Sequence, residues 1–316
     1  MSIVRFAGAC GLLIFCGAHG FALKAQYTFQ PVEYGGDPKK IGTVLTGINN
    51  KGTVAGYITF DQGHKQCWEG ILGYPGGQFS APINEPEALP CSTFGTGLND
   101  SGEVVGYYYD AGDVNIHGFL DIGGSFTTVD VLSGPSTVIR AINDAGDYAG
   151  ISGYYPSGPG SFHGFTSING VVTQVDVPGW ISTEIQSIDG AGAVAGCGVY
   201  QSVPRAFIHE PGGAFFGFTI AHAAEICATG IRSELGLVAG FFNDGKRLLG
   251  FVLDYRGSGS QPDPLTGVVK VTPILYPGSS QTQVWGMNTL GQLSGWAYLD
   301  GKNIGFIATP TAAPTN

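Results

Sequence analysis

Charge is scarce in this chain of 316 residues: Asp, Glu, Lys and Arg together supply 12%, about half of the ~25% usual for globular proteins. Long amphipathic helices with a charged solvent face cannot be written with so few charges. Basic residues are the scarcer kind, 14 Lys and Arg against 24 Asp and Glu, for a net charge of −10. No Lys/Arg cluster of the sort that neutralises phosphates occurs, which excludes nucleic acid as a partner. Also missing are HExxH, G-x-S-x-G, a Walker loop and CxxC, so the common zinc-hydrolase, nucleophile-elbow, nucleotide and thiol-redox signatures are absent. No metal site and no cofactor are expected. The chain has no G-x-y period, which excludes collagen. Beyond its first 25 residues no apolar run approaches the ~20 residues of a membrane-spanning helix.

Glycine, by contrast, is abundant: 53 of 316 residues, about 17% against a usual ~7%. Gly and Pro together make about 22%, below the ~25–30% of low-complexity chains. With 43% hydrophobic and 12% aromatic residues, the chain can bury a sizeable core, and a β-rich fold with many glycine turns is what remains. Residues 1–25 read as a secretory signal: Arg5, an apolar stretch from Phe6 to Phe15, then small residues before Ala22 or Ala25. An uncleaved anchor is the rival reading, but the run is short and His19 interrupts it; lipidation at Cys16 is disfavoured by the bulky Phe15 before it. Cleavage removes Arg5 and Lys24 and no acid, giving a secreted or periplasmic chain of net charge −12 without a membrane span. Four cysteines then remain: Cys67, Cys91, Cys197 and Cys227. An oxidising compartment permits three pairings of them. Proximity favours Cys67 with Cys91 and Cys197 with Cys227, and free buried thiols are the alternative.

One pattern recurs along the chain: GINNKGTVAGY at 47–57, GLNDSGEVVGY at 97–107, AINDAGDYAGI at 141–151, SIDGAGAVAGC at 187–197, GIRSELGLVAGF at 230–241 with one inserted residue, and GMNTLGQLSGW at 286–296. A second segment follows each copy, centred on Gly70, Gly118, Gly164, Ala206, Gly250 and Gly305. Each unit reads as four short strands, the first two joined by an Asx-x-Gly hairpin. Four strands per ~40–50 residues is the spacing of a propeller blade. The sixth unit stops after its third strand, whereas YTFQPVEY at 27–34 is a fourth-type strand with no unit before it. The expected fold is therefore all-β: a six-bladed β-propeller of four-stranded blades over 26–309. An N-terminal strand completes the last blade and closes the ring, and 310–316 is expected to be a disordered tail.

The paired signals I-N-[ND]-x-G-x-[VL]-[AV]-G-[YF] and H-[GA]-F resemble the bacterial extracellular repeat of the HAF (His-Ala-Phe) family. HGF stands at 117–119 and 163–165 and RAF at 205–207, while Glu69, Leu249 and Ile304 replace the histidine in the other copies. The resemblance spans most of 27–309. It implies an exported repeat protein of unassigned activity and supplies no catalytic residues.

Equivalent residues of neighbouring blades lie on sheets ~10 Å apart, whereas one zinc needs its ligands at ~2.0–2.3 Å. His117 and His163 are therefore expected to be satisfied by hydrogen bonds between blades. Asn49, Asn50, Asn99, Asp100, Asn143 and Asp144 are expected to serve Asx turns, since the spacing of a calcium loop is missing. Five units place a threonine near the expected channel mouth, namely Thr43, Thr93, Thr137, Thr183 and Thr282. The loops before the first strand and after the second vary in length and content, so one face of the disc is expected to be variable. First strands line the channel of a propeller, and two residues before each core Ile (Leu in the second copy, Met in the sixth) stand Thr46, Thr96, Arg140, Gln186, Thr229 and Trp285. Arg140 and Gln186, with the only first-strand carboxylates, Glu184 and Glu225, and with Trp180 or Trp285 as an aromatic platform, make a pocket suited to sugars or short peptides. The alternative is that Arg140 pairs with an acid to hold blades together. The chain thus reads as a monomeric, exported, non-enzymatic propeller that binds a glycan, peptide or envelope protein through its variable face. The alternative function is a propeller-type hydrolase, lactonase or lyase working in the central channel.

Overall fold

The structure is a computed structural model that describes residues 27–35, 42–62, 65–112, 115–131, 136–153, 162–257 and 267–311. The expected signal segment and most of the 255–267 insertion lie outside the described residues. Among the described residues the chain is strands and turns, with one three-residue 3-10 helix, Ser233–Leu235. No helix among them is long and apolar enough to cross a membrane.

Each copy of the repeat folds as an antiparallel meander. In the first, Gly42–Ile48, Val54–Gln62, Lys65–Tyr74 and Gln78–Phe79 pair in succession. Asn49 builds the first hairpin: its Oδ1 accepts the N–H groups of Lys51 and Thr53 at 3.0 and 2.9 Å, and Gly52 follows at φ 77°. The same Asx turn recurs at Asn99, Asn143, Asp189 and Asn288. In the last copy Gln281–Met287, Leu293–Leu299 and Lys302–Pro310 supply three strands, and Tyr27–Val32 pairs with the third of them from Tyr27↔Pro310 to Val32↔Gly305. The final strand thus includes Pro310, the expected first residue of the tail. Residues 312–316 lie outside the described residues.

Successive meanders pack face to face, which is the layout of a β-propeller. The phenylalanine of the H-G-F segment is the buried wedge between them: Phe119, Phe165, Phe207, Phe251 and Phe306 have no exposed surface, and Ile71 takes that place in the first unit. Truncating such a side chain to alanine costs ~3–5 kcal/mol. The first strands approach closely where the residue before the core Ile is small. A Cβ on Gly47 would lie 3.2 Å from the Cα of Gly97, and one on Gly97 would lie 3.1 Å from that of Ala141. Asn49 Nδ2 donates to Asn99 O, Asn99 Nδ2 to Asn143 O and Asn143 Nδ2 to Asp189 O, at 3.0–3.2 Å. The same two contacts join the sixth copy to the first: Asn288 Nδ2 donates to Asn49 O at 3.0 Å, and a Cβ on Gly286 would lie 3.1 Å from the Cα of Gly47.

Both favoured disulfides are present, and each crosses from one unit to the next. Cys67 on a third strand joins Cys91 on the following first strand, and Cys197 on a second strand joins Cys227 likewise.

The threonines expected at the channel mouth are instead buried, at 0–1% exposure. Their Oγ1 atoms accept backbone N–H groups from the segment leading into each first strand: Tyr34 to Thr43, Glu85 to Thr93, Val131 to Thr137, Val177 to Thr183 and Tyr276 to Thr282. A hydroxyl satisfies an N–H that the crossing between units would otherwise bury unpaired.

Candidate functional site

Every first strand carries a break in register, between Leu45 and Gly47, Gly95 and Gly97, Ile139 and Ala141, Ile185 and Ser187, Ala228 and Gly230, and Val284 and Gly286. The residues skipped are Thr46, Thr96, Arg140, Gln186, Thr229 and Trp285. A β-bulge leaves its extra residue out of the ladder and re-aims the side chain. All six line one narrow cavity bordered by the first strands. The bulge also presses a carbonyl against the facing strand: a Cβ on Gly56, Gly106 or Gly150 would lie 2.0–2.1 Å from the oxygens of Val44, Phe94 and Val138. Only glycine fits there, so the second-strand glycine that recurs in every copy is the sequence signature of the bulge opposite it.

The six side chains divide into two kinds. Thr46 Oγ1 donates to Gly95 O at 2.9 Å, Thr96 Oγ1 to Ile139 O at 2.7 Å and Thr229 Oγ1 to Val284 O at 2.8 Å, each reaching the next first strand. Arg140, Gln186 and Trp285 make no such bridge. Among the described residues Arg140 has neither a hydrogen bond nor an ion pair; its guanidinium lies 5.6 Å from the centre of the Tyr107 ring, and its Nε is buried without a partner. Gln186 is 6% exposed; its Nε2 donates to Glu184 Oε2 at 3.4 Å, while its Oε1 has no partner. Trp285 Nε1 donates to Gln283 Oε1 at 2.8 Å, and its ring lies 5.3 Å from that of Phe241.

Arg140 also borders a second cavity, of about 120 Å³, between the first strands of the third and fourth units. Ser136, Val138, Ile151, Phe162 and Glu184 share its wall, and Ser136 Oγ is buried without a partner. Burial pushes the Glu184 carboxyl above its usual range; Arg140 opposes the shift and Glu225 adds to it. Burial likewise raises the Tyr57 phenol, again opposed by Arg140. Phe94 stacks on Tyr107 at 4.6 Å and meets Tyr57 edge-on at 5.2 Å, continuing the aromatic wall behind Arg140.

The structure therefore brings Arg140, Glu184 and Gln186 together and sets Trp285 in the channel with Arg140 and Gln186. Glu225 is exposed at the start of its strand and acts on Glu184 through charge. Trp180 is elsewhere: its ring packs edge-on against Phe207 at 5.8 Å and covers Gly198 and Gly217, so it is a core side chain of the fourth unit.

The histidines are satisfied within their own units rather than between units. His117 Nδ1 meets Asp130 Oδ1 and His163 Nδ1 meets Asp176 Oδ2, both at 2.9 Å, each carboxylate following the fourth strand of the same meander. The 13-residue spacing of H-G-F to V-D-V was the available signal. Among the described residues no group of three His, Cys, Asp or Glu side chains is arranged to hold a metal.

One feature at the hairpin end was missed in the sequence. The inserted residue of the fifth copy produces the Ser233–Leu235 turn and sets Arg232 where other copies have Asn or Asp. Arg232 lies at the neck between the narrow channel and a cavity of about 360 Å³ rimmed by Asn50, Asp100, Asp144 and Glu234. Burial lowers its guanidinium pKa, and Glu234, Asp189, Asp144 and Asp100 oppose that. The broken motif in GIRSELGLVAGF marked the place.

No protein-family model matches the chain, and no curated protein matches it. Among solved structures it is similar to a virginiamycin B lyase from Staphylococcus aureus, with 12% identity, a TM-score of 0.46 and coverage of 89% of this chain and 99% of that one. It is also similar to the β-propeller domain of the Trilobed protease from Pyrococcus furiosus, with 8% identity, a TM-score of 0.46 and coverage of 87% and 98%. A polysaccharide lyase matches at 10% identity and a TM-score of 0.44, over 86% of this chain and 78% of that one.

Proposed function

We propose that this chain is an exported six-bladed propeller of the HAF repeat kind. In this reading it binds a glycan, peptide or protein through its variable loop face, without catalysis, and Arg140 and Gln186 form the deepest contact. Support for six blades and a closed ring comes from the contacts of Asn288 and Gly286 with the first copy and from the pairing of Tyr27–Val32 with the last. Two disulfides fit export into an oxidising compartment.

The binding reading rests on one observation: Arg140 Nε and Gln186 Oε1 are buried in the channel wall without partners. A buried polar group without a hydrogen bond costs ~1–3 kcal/mol, and a buried unpaired charge costs more. Three units avoid that cost with a threonine at the same bulge, so scaffold needs do not call for Arg140 or Gln186. The test is a glycan and peptide array probed with the purified chain, followed by calorimetric titration of the best hit into wild type, Arg140→Met and Gln186→Ala. Folded variants that bind at least about tenfold more weakly are expected; unchanged affinity in both overturns the reading.

A second reading, a hydrolase, lactonase or lyase, draws on Glu184 alone. A carboxyl that burial holds above its usual range is a candidate proton donor. Mass spectrometry of the array hit after incubation separates the two readings: conversion that Glu184→Gln abolishes makes the chain an enzyme, and intact ligand leaves it a binder.

A further inference from the structure

Resting on that binding reading, we infer that the pocket around Arg140 takes a single neutral pyranose ring, the terminal or free sugar of an uncharged saccharide. Four groups in the two adjoining cavities lack partners: the Arg140 and Arg232 Nε–H groups each need an acceptor, Gln186 Oε1 needs a donor, and Ser136 Oγ takes either role. Glu184 adds a carboxylate beside Gln186 that accepts further donors. A ligand that fits must present donors and acceptors on neighbouring atoms, and a ring of hydroxyls does so because each O–H donates once and accepts twice.

The rest of the wall selects the ring. Val138, Ile151 and Phe162 line the same 120 Å³ cavity, a size near the ~150 Å³ engineered void that holds one benzene. The cavity admits the C–H face of one ring and leaves the hydroxyl edge outside it, toward Arg140 and Glu184. A peptide backbone offers no such edge, because its donors and acceptors are spaced along an extended chain.

Charge selects against an acidic sugar. Arg140 and Glu184 share the wall of one cavity, on a chain of net charge −10. A carboxylate on the ligand would meet Arg140 only by approaching Glu184. A neutral ring satisfies both: the guanidinium donates to a hydroxyl or ring oxygen, and the carboxylate accepts from the adjacent hydroxyl.

The test titrates the full chain with methyl glycosides of neutral hexoses, the matching methyl hexuronides and N-acetyl dipeptide amides, read by calorimetry and by the fluorescence of Trp285. At least one neutral glycoside is expected to bind saturably, its uronide about tenfold more weakly or worse, and the dipeptides not at all. Gln186→Ala is expected to weaken the glycoside about tenfold at an unchanged melting temperature, and Trp285→Phe to remove the fluorescence change without abolishing the calorimetric signal. Uronides or dipeptides that bind as well as the neutral glycosides overturn the neutral-sugar inference and leave the binding reading intact. Failure of every small probe while an array ligand still binds through Arg140 also overturns the inference alone. Failure of both overturns the two together.

Discussion

The strand Tyr27–Val32 makes the sharpest prediction about the ring. Phe29 sits on it with its ring 5.5 Å from Phe306 and 5.4 Å from Tyr276, half-buried against the core of the last unit. A fully buried Phe→Ala change costs ~3–5 kcal/mol, so half burial sets the cost of Phe29→Ala at about 2 kcal/mol. At ~2–4 °C per kcal/mol, that lowers the melting temperature by about 4–8 °C. Val171 opens the fourth strand of the third unit, one residue off the register position of Phe29, and is 65% exposed, so Val171→Ala should stay within ~0.5 kcal/mol. Deleting 27–32 removes six residue pairs and uncovers Phe306 and Ala308. A loss above about 5 kcal/mol is expected, comparable with the whole net stability of a typical domain, ~5–15 kcal/mol. Urea and thermal denaturation followed by tryptophan fluorescence measure all three. Equal stability of Phe29→Ala and Val171→Ala, or a deletion variant that melts like wild type, refutes the reasoning.

Each disulfide closes a loop, of sequence separation 24 for Cys67–Cys91 and 30 for Cys197–Cys227. Chain-entropy loss therefore sets the cost of a paired Cys→Ala replacement at about 3.5 kcal/mol each, read as a lower urea midpoint than that of the oxidised protein. Glu184 gives a pH dependence. Its folded carboxyl is raised above the usual 4.5, so the native state binds more protons than the unfolded one between those values, and stability falls as pH rises through the folded pKa. Glu184→Gln should accordingly stabilise the protein at pH 7, with the gain vanishing below about pH 4.5. A gain that persists at pH 3.5 contradicts burial as the cause.

The repeat, the four-strand unit and the bulge side chains were legible in the sequence because each is periodic. A hairpin built by Asn49 and Gly52 needs the same atoms as one built by Asn143 and Gly146, and five of the six copies print that requirement. The glycines opposite the bulges were legible as a pattern but not as a cause; their role appears once the carbonyls of Val44 and Phe94 are seen 2.0 Å from where a Cβ would stand. What the pattern hid was which side of a strand a residue serves. Thr43 and Thr46 are both first-strand threonines, yet one accepts an N–H from the preceding crossing and the other bridges to the next unit. Trp180 precedes a first strand, as a rim residue would, but the bare surfaces of Gly198 and Gly217 draw its ring into the core. Arg232 falls outside the pattern because it stands at an insertion, where the fifth copy departs from what the others share.

The central claim is that three bulges hold the units together and the others present side chains to a ligand. Thermal denaturation of Thr96→Val beside Arg140→Met tests it most directly. Thr96→Val removes the hydroxyl that bridges to Ile139 O at 2.7 Å and keeps the shape, so a loss of about 1–2 kcal/mol is predicted. Arg140→Met removes an unpaired guanidinium and keeps the stem over Tyr107, so its melting temperature should equal or exceed that of wild type. If Arg140→Met destabilises the fold as much as Thr96→Val does, Arg140 belongs to the scaffold and the account is contradicted.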